Sequence, residues 1–366
     1  MSFLTSRVFN NPRVMEAVAN ASYAYLPRIG CLRISNFRCH SFREFNFRNT
    51  LGPVVFTGAN GVGKTTVLEA VSLFAPGKGM KRAKLRDMIA NKANSFGVYA
   101  TLGEIEIGTG ANIFSGSERV VKINGRVVKE QSELLKYVKI LWLSPEIERS
   151  FASDISSRRK FFDRAVSCFD DCHIHNLVQY GKALKEWSNL LKNGVDDDTW
   201  LEVYEKTLVK YGNMILRSRR IMADMMNLDM EQNESSFPKA FISFDISELK
   251  NDYFTRRRSE FLEKGFIEGA HNQKIEITDL KTGNTVEKCS TGEVKSSLVS
   301  IFLSQTRLLR DKGLILLLDD VSAYLDAERR DNLLKEISGM KVQSFITGVD
   351  INAFKVIKNA AEFFAI

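Results

Sequence analysis

The sequence predicts an α/β fold in which a mainly helical lobe is inserted between the two halves of a nucleotide-binding sheet. Three observations carry this. Residues 58–65 read GANGVGKT, a full match to G-x-x-x-x-G-K-[ST], set between an apolar run (Val54, Val55, Phe56) and a stretch where Val67, Leu68, Val71 and Phe74 recur at helical spacing. Leu314–Leu318 is an unbroken apolar run of strand length, the pattern of a parallel strand buried on both faces, and it ends in Asp319-Asp320. Between them, from residue 147 to about 230, strand alternation gives way to helical spacing. The segments implied are an extension (1–27), a first sheet half with the P-loop (28–146), a mainly helical lobe (147–265) and a second sheet half (266–366).

Taken in order, residues 1–27 carry Arg7 and Arg13 against a single acidic residue, Glu16, with several Ser and Asn. This faintly resembles an organellar transit peptide; the plainer reading is a short surface extension. Leu32, Ile34 and Phe37 roughly alternate with polar residues, and Phe45 and Phe47 flank Asn46, so a strand pair precedes the P-loop strand. In the P-loop, glycines let successive backbone N–H groups close around phosphate oxygens, and the following helix N-terminus adds unpaired donors and a positive dipole. The nucleotide-contacting set is Gly58, Ala59, Asn60, Gly61, Val62, Gly63, Lys64, Thr65 and Thr66, with Lys64 neutralising β/γ-phosphate charge and Thr65 holding Mg²⁺.

Further strand signals lie at Val98–Ile107 and in a hairpin over Arg119–Val128 closed by Asn124-Gly125; LWLSP, Leu141 to Pro145, is another short strand, ended by its proline. Ile174, Leu177, Val178, Gly181, Leu184, Trp187 and Leu191 form one helical stripe, and Trp200, Val203, Tyr204, Leu208, Tyr211 and Ile215 another. No heptad is sustained, so no long coiled coil is expected. Strand-like sequence returns at Phe241–Ile246 and Gln273–Asp279.

The last segment carries the rest of the chemistry. Carboxylates at the C-terminal end of a buried parallel strand suit a Walker-B pair, with Asp319 holding Mg²⁺ and Asp320 orienting or deprotonating the attacking water. Upstream, Ser290, Thr291, Gly292 and Glu293 open an apolar-periodic helix, and a Ser-x-Gly at a helix N-terminus is an anion site by the dipole argument. One nucleotide does not need two such sites from one molecule. The economical explanation is that Ser290, Gly292 and Glu293 act on ATP held by a second copy; the plain alternative is a Ser N-cap.

The order P-loop, S-x-G, LLLDDVSAYLD, together with LRISNFR, SSRRKFFDR and SFITGVD, resembles the RecF family, which is related to the ABC and SMC-type ATPases. The likeness runs from about residue 30 to 366. It implies an ABC/SMC-type P-loop ATPase head with a helical second lobe, Asp326 as D-loop residue, and an ATP-dependent homodimer. It further implies binding of DNA at single-strand/double-strand junctions and help to RecO and RecR in loading recombinase on gapped DNA. Two features depart from the family pattern: Gly269-Ala270-His271-Asn272 stands where G-P-H-R is frequent, and Glu293-Val294 where the signature usually has Gln or a close variant.

Composition fits this reading. Charged residues make up 26% and apolar ones 44%, with a formal charge of +8, suited to an anionic partner. Basic residues cluster at Lys81, Arg82 and Lys84 and at Arg158, Arg159 and Lys160, candidate contacts for DNA phosphates, with a solvated helix face as the alternative for either cluster. Five scattered cysteines without a C-x-x-C pair point away from a disulfide framework and toward a reducing cytoplasm. Cys168, Cys172, His173 and His175 could be drawn as a metal cluster, but they open a helical stripe. No apolar run approaches the roughly eighteen residues of a membrane span. A transporter ATPase would want a switch histidine after Asp320, and the last histidine is His271. The expectation is a weak DNA-stimulated ATPase, with a non-hydrolysing, ATP-gated DNA-binding module as the alternative.

Overall fold

The computed structural model describes residues 28–48, 51–114, 118–194, 198–323 and 325–366. The extension 1–27, with its transit-like composition, lies outside the described residues. The first stretch holds β1 (Ile29–Phe37), β2 (His40–Asn46), β3 (Pro53–Thr57), α1 (Lys64–Ser72), α2 (Leu85–Met88), β4 (Ser95–Leu102), β5 (Ile105–Asn112), β6 (Val120–Ile123), β7 (Arg126–Val127) and β8 (Lys139–Leu143). Helices follow as α3 (Pro145–Phe151), α4 (Ile155–Phe169), α5 (His173–Lys192) and α6 (Asp198–Gln232). Then come β9 (Ala240–Phe244), α7 (Arg258–Lys264), β10 (Ile275–Asp279), α8 (Thr291–Leu309), β11 (Leu314–Leu318), α9 (Ala327–Gly339), β12 (Gln343–Gly348) and β13 (Glu362–Ala365).

The chain forms two compact units. One comprises the residues up to Glu148, Ser235–Phe237 and Phe302–Ile366; the other comprises Arg149–Glu234 and Pro238–Ile301. The first unit has a wholly parallel sheet of order β13-β3-β12-β11-β8 and an antiparallel sheet of order β2-β1-β4-β5-β6-β7. All five residues of β11 are buried, as its unbroken apolar sequence requires. On β4 the alternation is strict, with Phe96, Val98, Ala100 and Leu102 turned into the core. Asn124 and Gly125 close the β6–β7 hairpin with φ of 48° and 77°, the two left-handed residues of a type I′ turn. An aromatic cluster binds strands of both sheets: Phe47 of the loop after β2 meets Phe345 of β12 edge-on at 5.0 Å, and Phe45 meets Phe56 of β3 at 5.2 Å.

In the second unit, α5 and α6 pack around Tyr180, Trp187, Leu208, Ile215 and Phe254. The buried face of α5 runs His173, Asn176, Tyr180, Ala183, Trp187, Leu191. It is rotated from the stripe read in sequence, and Val178, Trp200 and Val203 are exposed. Polar groups on the inner face find partners inside the unit: His173 Nε2 lies 2.9 Å from Asp163 Oδ1, and Trp187 Nε1 donates to Glu205 at 3.0 Å, while His173 Nδ1 is buried without one. The compact units also divide at points other than the sequence boundaries. The second unit runs on past residue 265 to Ile301, because β10 pairs antiparallel with β9. No helix among the described residues is long and apolar enough to cross a membrane.

Arg219 is buried and grips Asp163 through Nε at 2.7 Å and Nη2 at 2.8 Å, while Nη1 donates to Ala270 O and Gln273 Oε1. Burial alone would raise the Asp163 pKa, but the Arg219 guanidinium and His173 hold it well below the carboxylate range. Nearby, burial lowers His271 to about 4, with the charge of Arg159 pushing the same way. Its folded pKa lies below its unfolded value, so the unfolded state takes the proton first and stability falls as pH drops through about 6.5. Urea unfolding at pH 5 should therefore show a loss of roughly 1–2 kcal/mol relative to pH 7, and His271→Gln should remove most of that difference.

Candidate nucleotide-binding site

The P-loop leaves β3 and enters α1 through two glycines where a side chain would be strained. At Gly58, φ is 153° and a Cβ would stand 2.4 Å from the carbonyl of Ile366. At Gly63, the N-cap of α1, φ is 101° and a Cβ would fall 2.5 Å from the His40 ring and 2.7 Å from Cys39 Sγ. His40 is buried, and its Nε2 lies 3.1 Å from the Gly63 carbonyl, so that nitrogen carries the proton. Burial pushes the His40 pKa down, against the Gly63 hydrogen bond, which keeps the ring neutral. Lys64 is buried too, and its Nζ donates to Gly58 O at 2.9 Å and Ala59 O at 2.7 Å. Two of its three protons thus fix the ammonium across the loop, and one is left for a phosphate.

Asp319 closes the site from the end of β11. Its Oδ1 accepts from Thr65 Oγ1 at 2.7 Å and from Thr347 Oγ1 at 2.9 Å, while its backbone N–H donates to Leu143 O at 3.0 Å. Thr347 sits near the end of β12 and also accepts from the Asp320 N–H at 2.9 Å. A hydroxyl and a carboxylate brought together in this way are hard oxygen donors with spare lone pairs, which fits Mg²⁺. Lys81 Nζ is ion-paired with Glu146 and lies 3.9 Å from Asp319 Oδ2, a sign that this corner is already negative enough to hold a cation. Asp320 adopts φ 47°, a left-handed backbone that turns its side chain off the strand axis. Burial, followed by the charge of Asp319, raises its pKa while Lys64 opposes, so its carboxylate is a better base than an ordinary aspartate.

Asp326 caps α9, its Oδ1 accepting from the Arg329 N–H at 2.9 Å. At the start of α8, Ser290 N–H donates to Glu293 Oε2 at 2.7 Å and Glu293 N–H donates to Ser290 Oγ at 3.4 Å. These reciprocal bonds form a capping box, the N-cap geometry that sequence offered as the plain alternative.

With this geometry in place, comparison with known proteins gives a family. The AAA domain family matches residues 31–343. The DNA replication and repair protein RecF of Mesorhizobium japonicum is 32% identical, over 92% of this chain and 96% of that protein. The protein of the same name from Rhizobium etli is 33% identical, over 85% of this chain and 90% of its own. The chain belongs to the RecF family. A solved structure of the recombination mediator protein RecF with ATP, from the RecFOR pathway, superposes with a TM-score of 0.76 at 25% identity, over 90% of this chain and 94% of that one. An Smc head domain from Pyrococcus furiosus shares the fold, with a TM-score of 0.53 at 16% identity over 93% of each chain. The ABC/SMC-type α/β ATPase head expected from sequence is therefore the fold observed.

Within this RecF-family chain, the basic clusters fare unevenly. Arg158 is 2% exposed and ion-paired with Glu287, so it cannot be a surface phosphate contact. The N-terminal half of α4 turns this residue inward, where the Glu287 carboxylate compensates the buried charge. Arg159 is half-buried and donates to Gln273 O at 3.0 Å, and of that cluster Lys160 alone is exposed. Lys81 is engaged by Glu146 and Asp319, whereas Arg82 and Lys84 are exposed. In the atypical loop, Asn272 bonds back to the Gly269 N–H and Ile267 O, and His271 Nδ1 meets Tyr180 Oη at 3.0 Å. Cys168 is buried and Cys172 exposed, while His173 is bound to Asp163.

Sequence reading missed Thr347, Lys81 as a neighbour of the site, and His40. Thr347 had a signal, since SFIT ends a second apolar run of strand length, but its role depends on β12 lying beside β11. Gly63→Ala should cost about 2–3 kcal/mol, measured by thermal unfolding, because both the left-handed φ and the His40 contact oppose a side chain. In a His40→Ala background the penalty should shrink, the part lost being the steric one.

Proposed function

We propose that this chain is an ATP-dependent DNA-binding protein of replication and repair that dimerises on Mg·ATP. The observation that supports this most is the Thr65–Asp319 hydrogen bond, 2.7 Å long, which joins P-loop to Walker-B strand in one preassembled site. In this reading Gly58 to Thr66 cradle the phosphates and Lys64 offsets their charge. Thr65 and Asp319 hold Mg²⁺, which when bound neutralises charge on the β- and γ-phosphates. Asp320 positions the attacking water and receives its proton. Ser290, Gly292 and Glu293 of one copy face ATP held by the other, and Asp326 lies at the junction. DNA with a single-strand/double-strand junction binds across the dimer, with exposed Arg82, Lys84 and Lys160 as phosphate contacts. RecO and RecR are the partners in loading recombinase on gapped DNA, and slow hydrolysis releases the complex.

Lys64→Ala should weaken ATP binding about 10–100-fold, because no other group supplies the lost charge-assisted hydrogen bond. Asp320→Asn should leave ATP-driven dimers intact by light scattering while slowing turnover on the order of 10²-fold. Equal turnover in the two proteins would place the base elsewhere. Measurable DNA-stimulated turnover in the unaltered chain separates this reading from a non-hydrolysing, ATP-gated module. Ser290→Arg should still bind ATP as a monomer yet fail to dimerise; normal dimers would refute the shared site.

A further inference from the structure

The nucleotide-binding unit contains a cavity of about 960 Å³ that none of the P-loop, Asp319 or Asp320 lines. It opens beside the hairpin edge of the antiparallel sheet, and its floor is aliphatic: Leu73, Met88, Ala111 and Val121 are all buried. Its mouth carries apolar side chains left in water, with Ile113 40%, Val120 43% and Val127 63% exposed. Around these, the described lining residues include four exposed cations, Lys78, Lys84, Arg86 and Lys129, and one carboxylate, Glu118.

The cavity is built rather than incidental. Arg119, 9% exposed, reaches across one wall, donating to Leu73 O, to Gly77 O at 3.0 Å and to Gln131 Oε1 at 2.7 Å. Those bonds tie the segment after α1 to the start of β6 and to the turn beyond the hairpin, fixing the spacing of the walls. A buried guanidinium shared among carbonyl oxygens and the Thr109 hydroxyl, 3.2 Å from Nη1, makes these walls rigid. What is offered to a ligand is an aliphatic floor and a cationic rim.

We propose that this cavity is a docking site for a short acidic peptide segment of a partner protein, anchored by aliphatic side chains and steered by Asp or Glu at the rim. An apolar floor ringed by cations is complementary to such a segment in both charge and polarity. Single-stranded nucleic acid fits less well: its bases stack on aromatic faces, and no Phe, Tyr or Trp is among the described lining residues. Phosphate contacts alone would leave the floor and the exposed Val127 unused. The volume lies at the upper end of the range for enclosed ligand sites, room for a few side chains rather than for a folded domain.

Fluorescence anisotropy on the full chain tests this with a fluorescein-labelled Asp-Glu-Asp-Leu-Asp-Ile-Leu peptide. The comparators are the same peptide with Asn and Gln for its acids, the same peptide with Gly for its aliphatics, and an oligodeoxythymidine of equal length. The acidic aliphatic peptide should bind about 10-fold more tightly than either comparator peptide. Arg86→Glu combined with Lys129→Glu should weaken it about 10-fold, and so should Val127→Asp, with melting temperatures unchanged. Binding no better than the comparators, or untouched by both variants, overturns the proposal. If the variants abolish oligonucleotide binding but not peptide binding, the rim is a nucleic-acid surface and the proposal is likewise overturned.

Discussion

The carboxylate of Asp319 is the point on which the nucleotide-binding unit turns. It is buried at the end of β11, and a buried carboxylate persists only where donors satisfy it. Thr65 reaches it from α1 and Thr347 from β12, so helix, central strand and neighbouring strand meet at one oxygen, Oδ1. The same Thr347 hydroxyl accepts from the Asp320 N–H, which fixes the backbone where it turns left-handed. The distance between P-loop and Walker-B carboxylate is therefore set by hydrogen bonds within the protein itself. That is preorganisation in the physical sense, since no side chain must be recruited before phosphate arrives.

How much of this could be read from sequence follows from the range of each interaction. GANGVGKT and LLLDD were legible because their chemistry is local: glycines at fixed offsets, a strand-length apolar run, carboxylates at its end. Thr347 was not, because its partner is Asp319, and only the parallel register that sets Leu318 beside Ile346 brings them together. Lys81 was counted among DNA-facing cations for the same reason: Glu146 and Asp319 are distant in sequence and adjacent in space. The rotated stripe of α5 shows a further limit. Periodicity finds apolar faces, but His173 and Asn176 belong to the buried side, and a buried polar residue, such as His173 held by Asp163, leaves no apolar trace.

Arginine in this chain divides between surface and strut. Arg119, Arg158 and Arg219 are buried, and Arg258 spans Glu205 and Asp198. Their charges enter the net count without reaching a partner outside the chain. Guanidinium suits this role because its planar fork satisfies several acceptors at once, as Arg219 does with Asp163, Ala270 and Gln273. A basic run in sequence is thus weak grounds for a nucleic-acid face, and the exposed positions Arg82, Lys84 and Lys160 carry more of that reading than the clusters they came from.

The capping box at α8 bears on how the proposed dimer would close. Ser290 and Glu293 exchange hydrogen bonds, so two donors at the helix N-terminus are already committed within the turn. Hydrogen bonding to Ser290 lowers the Glu293 pKa, which keeps the group ionised. An ionised carboxylate beside the helix N-terminus repels a phosphate unless a cation stands between them. Glutamine at the same position could keep the box and carry no charge. Two opposing terms therefore meet at this helix N-terminus, a dipole that attracts an anion and a carboxylate that repels one.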